Sequence, residues 1–342
     1  MRISYVSHIM NKTVAFSKNS VNVFFHILTQ CNLNCGHCYI NPAQHGSEIL
    51  PLDTIRQWLH LFLDPRRKAN LILLGGEPTL HPELARIIAA ARRIGYDSIT
   101  IDTNGYLFHD ILNQAVPSEV DFISFSLDGA TRGTNDRIRG RGCYGTCLSG
   151  IRAAVKLGFK TSLIYTVSNE NIAELEMMPP LLEDLGVDRF FIQVIGIRGR
   201  PAAAGDDHLQ VDRPTWRHLI PKVAQKVAAA GITVTYPKVF LDSQESFECA
   251  GRVAENYFIF PNGRVYRCPL CEDYPLHSLA IKENRLVETG PVNEKDLFLL
   301  NIAEGCVMNK LIQPGNLNYT PDGTPEYKIA CCLLKEEVAG QG

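Results

Sequence analysis

The sequence predicts an α/β fold: a partial (β/α)6 TIM-like barrel, open on one side, followed by a small cysteine-rich C-terminal domain containing a β-hairpin. Three observations predict it. Strand-like apolar runs alternate with helical patterns between residues 22 and 194, the signature of a parallel sheet with right-handed crossovers. Glycine-rich and turn segments fall just after the strand ends, the face on which α/β barrels carry chemistry. Beyond residue 248 come six cysteines, and a Pro261-Asn262-Gly263 turn there joins two short β patterns.

The first strand covers 22–29 and runs straight into a cysteine loop. A helix follows over 53–63, with Asp53 as its expected N-cap. A short buried strand over 71–74 ends in Gly75-Gly76, and the next helix covers 82–94. The third strand, 98–102, leads to Thr103-Asn104-Gly105 and a weaker helical pattern over 107–114. Strands over 122–127 and 161–166 precede helices over 147–157 and 172–185, and a sixth strand covers 189–194. Six units rather than eight leave the barrel incomplete, so a large substrate has a way in. Boundaries are expected near residues 20 and 235: an N-terminal extension over 1–20, the barrel over 21–235, and the cysteine-rich domain over 236–342.

Composition narrows the classes. A chain of 342 residues with net charge −2 and 45% hydrophobic content is an ordinary globular protein. Its basic runs, Arg66-Arg67-Lys68 and residues 137–141, are local, so neither nucleic acid nor an anionic membrane is an expected partner. No run approaches about 18 apolar residues, and the first ten residues lack a signal-peptide pattern. A cytoplasmic location is expected, where 11 cysteines clustered towards both ends read as metal-binding rather than disulfide-bonded.

The chemistry starts at Thr29-Gln-Cys-Asn-Leu-Asn-Cys-Gly-His-Cys-Tyr39, a C-x3-C-x2-C pattern formed by Cys31, Cys35 and Cys38. A 4Fe-4S cubane normally takes four thiolates; three leave one iron open to a small molecule. Zinc is the alternative, with His37 or His45 as a fourth ligand. Next comes Leu74-Gly75-Gly76-Glu77-Pro78 at the end of the second strand. Two glycines let backbone approach a ligand closely, and Glu77 with nearby carbonyls can accept from a ligand ammonium.

Together these motifs resemble radical S-adenosylmethionine (radical SAM) enzymes, over roughly residues 20 to 235. The resemblance implies that Cys31, Cys35 and Cys38 hold a 4Fe-4S cluster whose open iron is chelated by S-adenosylmethionine, and that Gly75, Gly76 and Glu77 contact its methionine amino group. Ser126-Leu-Asp128-Gly129, followed by Asn135-Asp-Arg-Ile-Arg139-Gly140, resembles a segment of the sulfatase-maturase and cofactor-maturation branches. It implies Ser126 towards the ribose or carboxylate and Arg139 towards the methionine carboxylate, with Asp128 in the same binding segment. Asn104 also matches, Ile195 would offer backbone groups to the adenine edge, and His37 stands where relatives place an aromatic near the adenine. The implied reaction is reductive cleavage to a 5′-deoxyadenosyl radical that abstracts hydrogen from the substrate.

The C-terminal cysteines are Cys249, Cys268, Cys271, Cys306, Cys331 and Cys332. The C-x13-G-x4-C spacing of Cys249, Gly263 and Cys268 resembles the opening of SPASM and twitch auxiliary-cluster domains, without the full SPASM pattern after it. Six thiols suffice for one fully ligated cubane but not two, so a single auxiliary 4Fe-4S cluster is expected. Cys249, Cys268 and Cys306 are the preferred ligands, with Cys331 or Cys332 as the fourth and Cys271 as competitor. Zinc is the alternative here too. Cys143 and Cys147 read as structural thiols.

The expected function is oxidation, decarboxylation or cross-linking of a small-molecule or peptide substrate in natural-product or cofactor maturation, with electrons from a flavodoxin- or ferredoxin-type reductant. About 20 residues before the first strand are too few for a leader-binding domain. The competing class is an iron–sulfur scaffold or electron carrier, which has no use for the Gly75–Glu77 segment or for Arg139.

Overall fold

Period-two burial organises the sheet. The computed structural model describes residues 12–14, 16, 19–205, 207–242 and 244–341. The expected extension over 1–20 falls largely outside the described residues, as does the 1–10 stretch read for a signal peptide. The strands are β1 (Lys12–Val14), β2 (Ser20–His26), β3 (Lys68–Leu74), β4 (Ser98–Thr103), β5 (Phe122–Ser126), β6 (Thr161–Val167), β7 (Arg189–Val194) and β8 (Thr233–Pro237). From β2 to β8 they pair in chain order and in parallel. Six helices matter to the site: α1 (Leu52–His60), α2 (Leu84–Ile94), α3 (Arg132–Arg139), α4 (Cys143–Lys156), α5 (Met178–Leu185) and α6 (Arg213–Ala229).

The barrel has a seventh parallel strand, β8, preceded by α6, where the sequence pattern reads only six units. Two prolines hide α6: Pro214 near its start and Pro221 inside it interrupt the helical pattern. Prolines also shorten α5, because Pro179 and Pro180 at its first turn leave 172–177 as a 3-10 stretch. Asp53 is not the N-cap of α1; Pro51 holds that position, and Asp53 lies in the first turn, where its charge suits the helix dipole. The weak pattern over 107–114 becomes a 3-10 turn and a four-residue helix.

Beyond the barrel come β9 (Phe240–Leu241), β10 (Glu255–Ile259), β11 (Arg264–Tyr266), β12 (Leu279–Lys282), β13 (Arg285–Glu288), β14 (Lys328–Ile329) and β15 (Lys335–Val338). The hairpin β10–β11 turns at Gly263, whose φ of 80° favours glycine. Rather than standing apart, β10 pairs in parallel with β2, and β11 to β13 extend the same sheet. At the opposite edge β15 pairs antiparallel with β8 and carries β1. Among the described residues the result is one open sheet of thirteen strands, with β9 and β14 paired separately.

On the outer face Val23, Phe25, Leu73, Ile101, Phe125 and Leu163 are buried beneath the helices. Among their alternates, which face the lumen, Asn22, Phe24, Ile72, Leu74, Thr100, Asp102 and Ser126 are only partly covered, while His26, Ser124, Ser162 and Ile164 are buried. At the lumen floor Asn22, Asn70 and Asn256 form a side-chain ladder with two bonds of 2.9 Å, and Phe24 stacks on Phe258 at 4.4 Å. Two opposite charges stand higher up. Burial pushes Asp102 up to about 7, a hydrogen bond with Ser124 opposing, and burial pulls Lys335 down to about 8. The Lys335 ammonium lies 3.6 Å from the centroid of the Phe191 ring.

Asp102 makes a pH prediction. Its folded value lies above the ordinary 3.8, so the folded chain keeps a proton that the unfolded chain releases between about pH 4 and about pH 7. Stability present at low pH is lost as pH rises through that window. Asp102→Asn should flatten the decline of the denaturation midpoint across it, and titrating urea unfolding from acid to neutral pH checks this.

Candidate functional site

The loop carrying Cys31, Cys35 and Cys38 leaves the C-terminal end of β2 and is held from beneath by the end of β3. Glu77 N donates to Gln30 O at 2.9 Å. A Cβ on Gly75 would lie 2.7 Å from Leu28 O, and one on Gly76 2.3 Å from Gln30 O. Here the glycines make room for the backbone that leads into the cysteine loop.

Glu77 itself is fully buried. Its carboxylate accepts from Thr79 N (3.0 Å), Thr79 Oγ1 (2.6 Å), Thr103 Oγ1 (2.8 Å) and Asn104 N (2.7 Å). Burial pushes its pKa up and these bonds pull against it. Asn104 carries the link onward: its Nδ2 donates to Asn32 Oδ1 at 2.8 Å and lies 3.8 Å from Cys31 Sγ. Leu33 N also points at Cys31 Sγ, at 3.4 Å. Cys31 is exposed, whereas Cys35 and Cys38 are half-buried. Partial desolvation raises the Cys31 pKa and burial pushes Cys35 up to about 11, so both thiols favour the protonated form near neutral pH.

The other wall is built by β5 and α3. Asp128, two residues beyond Ser126, is fully buried, and its Oδ1 accepts from Thr166 N at 2.7 Å. Its Oδ2 meets Arg139 Nε at 2.6 Å and His37 Nε2 at 3.2 Å. None of these contacts is aimed as a hydrogen bond: Asp128 Oδ2, Arg139 Nε and His37 Nδ1 are buried polar atoms without a hydrogen-bond partner. Such atoms are costly unless something further satisfies them. Burial lowers the His37 pKa, with Asp128 opposing and Arg139 adding to it. The end of α3 touches the cysteine loop directly, through Gly36 N to Ile138 O at 2.9 Å and Cys35 Sγ to Arg139 O at 3.8 Å. Ser126 is half-buried at its strand end, and its carbonyl accepts from Cys147 Sγ at 3.6 Å. Cys143 and Cys147 are buried in α4.

Ile195, just past β7, is buried, and its N–H donates to Val167 O at 3.2 Å. With Gly36, His37, Ile138, Thr166 and Ser168 it lines a cavity of roughly 500 Å³, open solvent at its mouth included. This cavity adjoins the orphaned Asp128–Arg139–His37 group.

A second cavity, of roughly 450 Å³ with open solvent included, is lined by Cys249, Cys268, Cys306, Cys331 and Cys332 among apolar walls that include Leu270, Phe298 and Met308. Cys271 is fully buried beside Cys268 but does not line it. Cys306 caps the helix α7 (Val307–Ile312), where Asn309 N points at its sulfur at 3.5 Å. In the vicinal pair a hydrogen bond from Cys332 draws Cys331 down to about 7. Glu294 holds the Cys268 segment, accepting from Arg267 N at 2.7 Å and Cys268 N at 3.1 Å. Among the described residues no three thiol, imidazole or carboxylate groups converge at single-ion distance. A cubane asks for something else, each thiolate on its own iron.

The comparisons with known proteins join this geometry here. Residues 26–178 match the family model described as the radical SAM superfamily. Residues 26–178 form a radical SAM domain. It is similar to a probable GTP 3′,8-cyclase of Saccharolobus solfataricus, 24% identical over 75% of this chain and 85% of the relative. It also resembles the pre-heme d1 synthase of Dinoroseobacter shibae, 30% identical over 52% of this chain, which spans 44% of that relative. Among solved structures, Streptococcus suis SuiB bound to precursor peptide SuiA superposes with a TM-score of 0.61 at 14% identity, covering 84% of this chain and 66% of that one, and shares the fold. A radical SAM domain brings a 4Fe-4S cluster and S-adenosylmethionine, and a second auxiliary cluster fits as well. The residues present suit them: free thiols in the Cys31–Cys38 loop, a buried Asp128–Arg139–His37 group with polar atoms short of hydrogen bonds beside a cavity, and five thiols around another. Among the described residues no helix is long and apolar enough to cross a membrane.

Sequence reasoning passes over Thr79 and Thr103, the partners of Glu77, and over Arg198, Arg200 and Glu272, which lie between the two cysteine regions. The one available signal was Gly196-Ile-Arg-Gly-Arg200 directly after a barrel strand. For the loop support, Gly76→Ala sets a Cβ against Gln30 O, a backbone atom that cannot rotate away. Iron in the reconstituted variant should fall from about eight per chain towards about four as the N-terminal cluster is lost. Iron and labile sulfide assays read this directly.

Proposed function

We propose that this chain is a radical SAM maturase that abstracts hydrogen from a peptide or small-molecule precursor in an oxidative reaction. The carrying observation is the arrangement of the Cys31–Cys38 loop. It sits at the C-terminal ends of parallel strands, with the Glu77–Asn104 link on one side and the Asp128–Arg139–His37 group and its cavity on the other. When bound, the cluster and S-adenosylmethionine supply the 5′-deoxyadenosyl radical chemistry of the superfamily.

The protein's part is positioning. Cys31, Cys35 and Cys38 would hold the first cluster. Gly75, Gly76 and Glu77 would present the β3 end to the methionine ammonium, with Asn104 beside them. Arg139, its Nε edge turned to Asp128, would set a guanidinium near the methionine carboxylate, and Ser126 would lie at the ribose side. His37, neutral under burial, and the backbone around Ile195 would flank the adenine in the adjoining cavity. Cys249, Cys268, Cys306 and one of Cys331 or Cys332 would hold the auxiliary cluster, with Cys271 left as a buried thiol. Electrons would come from a small flavodoxin- or ferredoxin-type reductant. A carrier without this chemistry would leave the buried Asp128–Arg139–His37 group unexplained.

Replacing Cys31, Cys35 and Cys38 together with alanine should abolish 5′-deoxyadenosine formation from S-adenosylmethionine under dithionite. Persistence of that product would overturn the reading. Mössbauer spectroscopy on the anaerobically reconstituted wild type should find about eight irons in two cubanes. Cys271→Ala should keep that count, whereas Cys249→Ala should lose the auxiliary share.

A further inference from the structure

Residues 196–200, following β7, touch both cysteine regions at once. On the N-terminal side Arg200 N donates to Cys38 O at 3.0 Å and Arg200 Nη1 to Cys35 O at 3.1 Å. Gly199, with φ of 60°, passes so close that a Cβ would lie 2.5 Å from Cys38 O. On the C-terminal side Arg198 Nη1 donates to Pro269 O at 2.7 Å and reaches Glu272 Oε2 at 3.2 Å. Gly199 N donates to Asp273 Oδ2 at 2.9 Å, and Ile197 N to Ile312 O, the end of the helix that Cys306 caps, at 2.7 Å. The Arg198 guanidinium also lies over the Tyr39 ring at 4.4 Å, next in sequence to Cys38. This segment thus holds the carbonyls of two N-terminal cysteines, the 269–273 stretch that follows Cys268 and contains Cys271, and the far end of the helix that Cys306 caps.

A segment bonded this way on both sides cannot shift at one without pulling on the other. Arg198 is the piece that spans them, and Glu272, almost fully buried, is its carboxyl partner. We propose that residues 196–200 are a clamp coupling the two cysteine sites, with Arg198 as its positioning residue. Occupancy of the C-terminal cysteines sets the geometry of the Cys35–Cys38 loop and so the affinity for S-adenosylmethionine there. This deepens and rests on the radical SAM reading. By linkage the coupling is reciprocal: S-adenosylmethionine at the first site favours the filled second site.

The test is a double-mutant cycle in the reconstituted full chain. Cys268→Ala should weaken S-adenosylmethionine binding by about tenfold, the scale of a typical site-to-site coupling. It should also alter the EPR signal of the reduced N-terminal cluster. With Arg198→Met already present the same change should have little further effect, and Arg198→Lys, which keeps the charge, should restore part of the coupling. Equal losses in both backgrounds overturn the proposal. Where Cys268→Ala does not accumulate, Glu272→Gln takes its place in the cycle. A second arm needs no cluster. In the metal-free chain, Arg198→Met and Glu272→Gln should speed amide hydrogen exchange in residues 35–40, far from the substituted Glu272 in sequence, and unchanged exchange overturns the clamp. If the wild type holds no iron and binds no S-adenosylmethionine, the radical SAM reading falls, and the exchange arm alone judges the clamp.

Discussion

The site depends on one buried carboxylate. Glu77 sits at the end of β3 without solvent contact and accepts four hydrogen bonds from Thr79, Thr103 and Asn104. A buried acceptor left without donors is expensive, so the chain around Glu77 has little freedom. Through Thr103 and Asn104 it fixes the end of β4, through its own N–H it fixes Gln30, and through Asn104 it reaches Asn32 and Cys31. Three strand ends are brought to one point by this one residue, through its side chain and its backbone N–H together. An exposed loop carrying three thiols would otherwise be mobile, and a cluster bound there would lack a defined position.

Around that anchor the two walls differ in character. The Glu77 side is saturated with hydrogen bonds, while the Asp128 side is not. Asp128, Arg139 and His37 sit close together with unsatisfied edges beside a cavity. The saturated wall gives rigidity and the unsatisfied one gives affinity for something polar. Between them burial holds the Cys35 thiol protonated, so any metal that takes it must displace a proton. The C-terminal hairpin joins the same sheet through β10 and β2, so the second cysteine cavity is attached to the barrel by backbone hydrogen bonds as well as by the 196–200 segment.

Much of this was legible in the sequence where the physics is local. Cys31, Cys35 and Cys38 lie within eight consecutive residues and cannot be far apart. The alternation of β2 to β7 reads correctly because one face of each strand packs on helices. Reading fails where proline breaks the pattern, as in α6, and the seventh strand is lost with it. Gly75 and Gly76 read as a ligand approach, yet the atoms a Cβ would strike belong to residues 28–30, a contact between strands that no motif encodes.

The sequence by itself determined the class of chemistry and the six-strand alternation, because ligand spacing and hydrophobic period are properties of neighbouring residues. Only the tertiary structure decided which distant groups share a site. Five of the six C-terminal cysteines line one cavity while Cys271, hydrogen-bonded to Cys268, lies buried outside its lining, although Cys268-Pro-Leu-Cys271 has the better local spacing. Asp128 meets His37 and Arg139, and Arg198 spans from the Tyr39 ring to Glu272, across separations that only the strand order closes. Side-chain direction and long-range register are set by packing, and packing is not written in any one stretch of the chain.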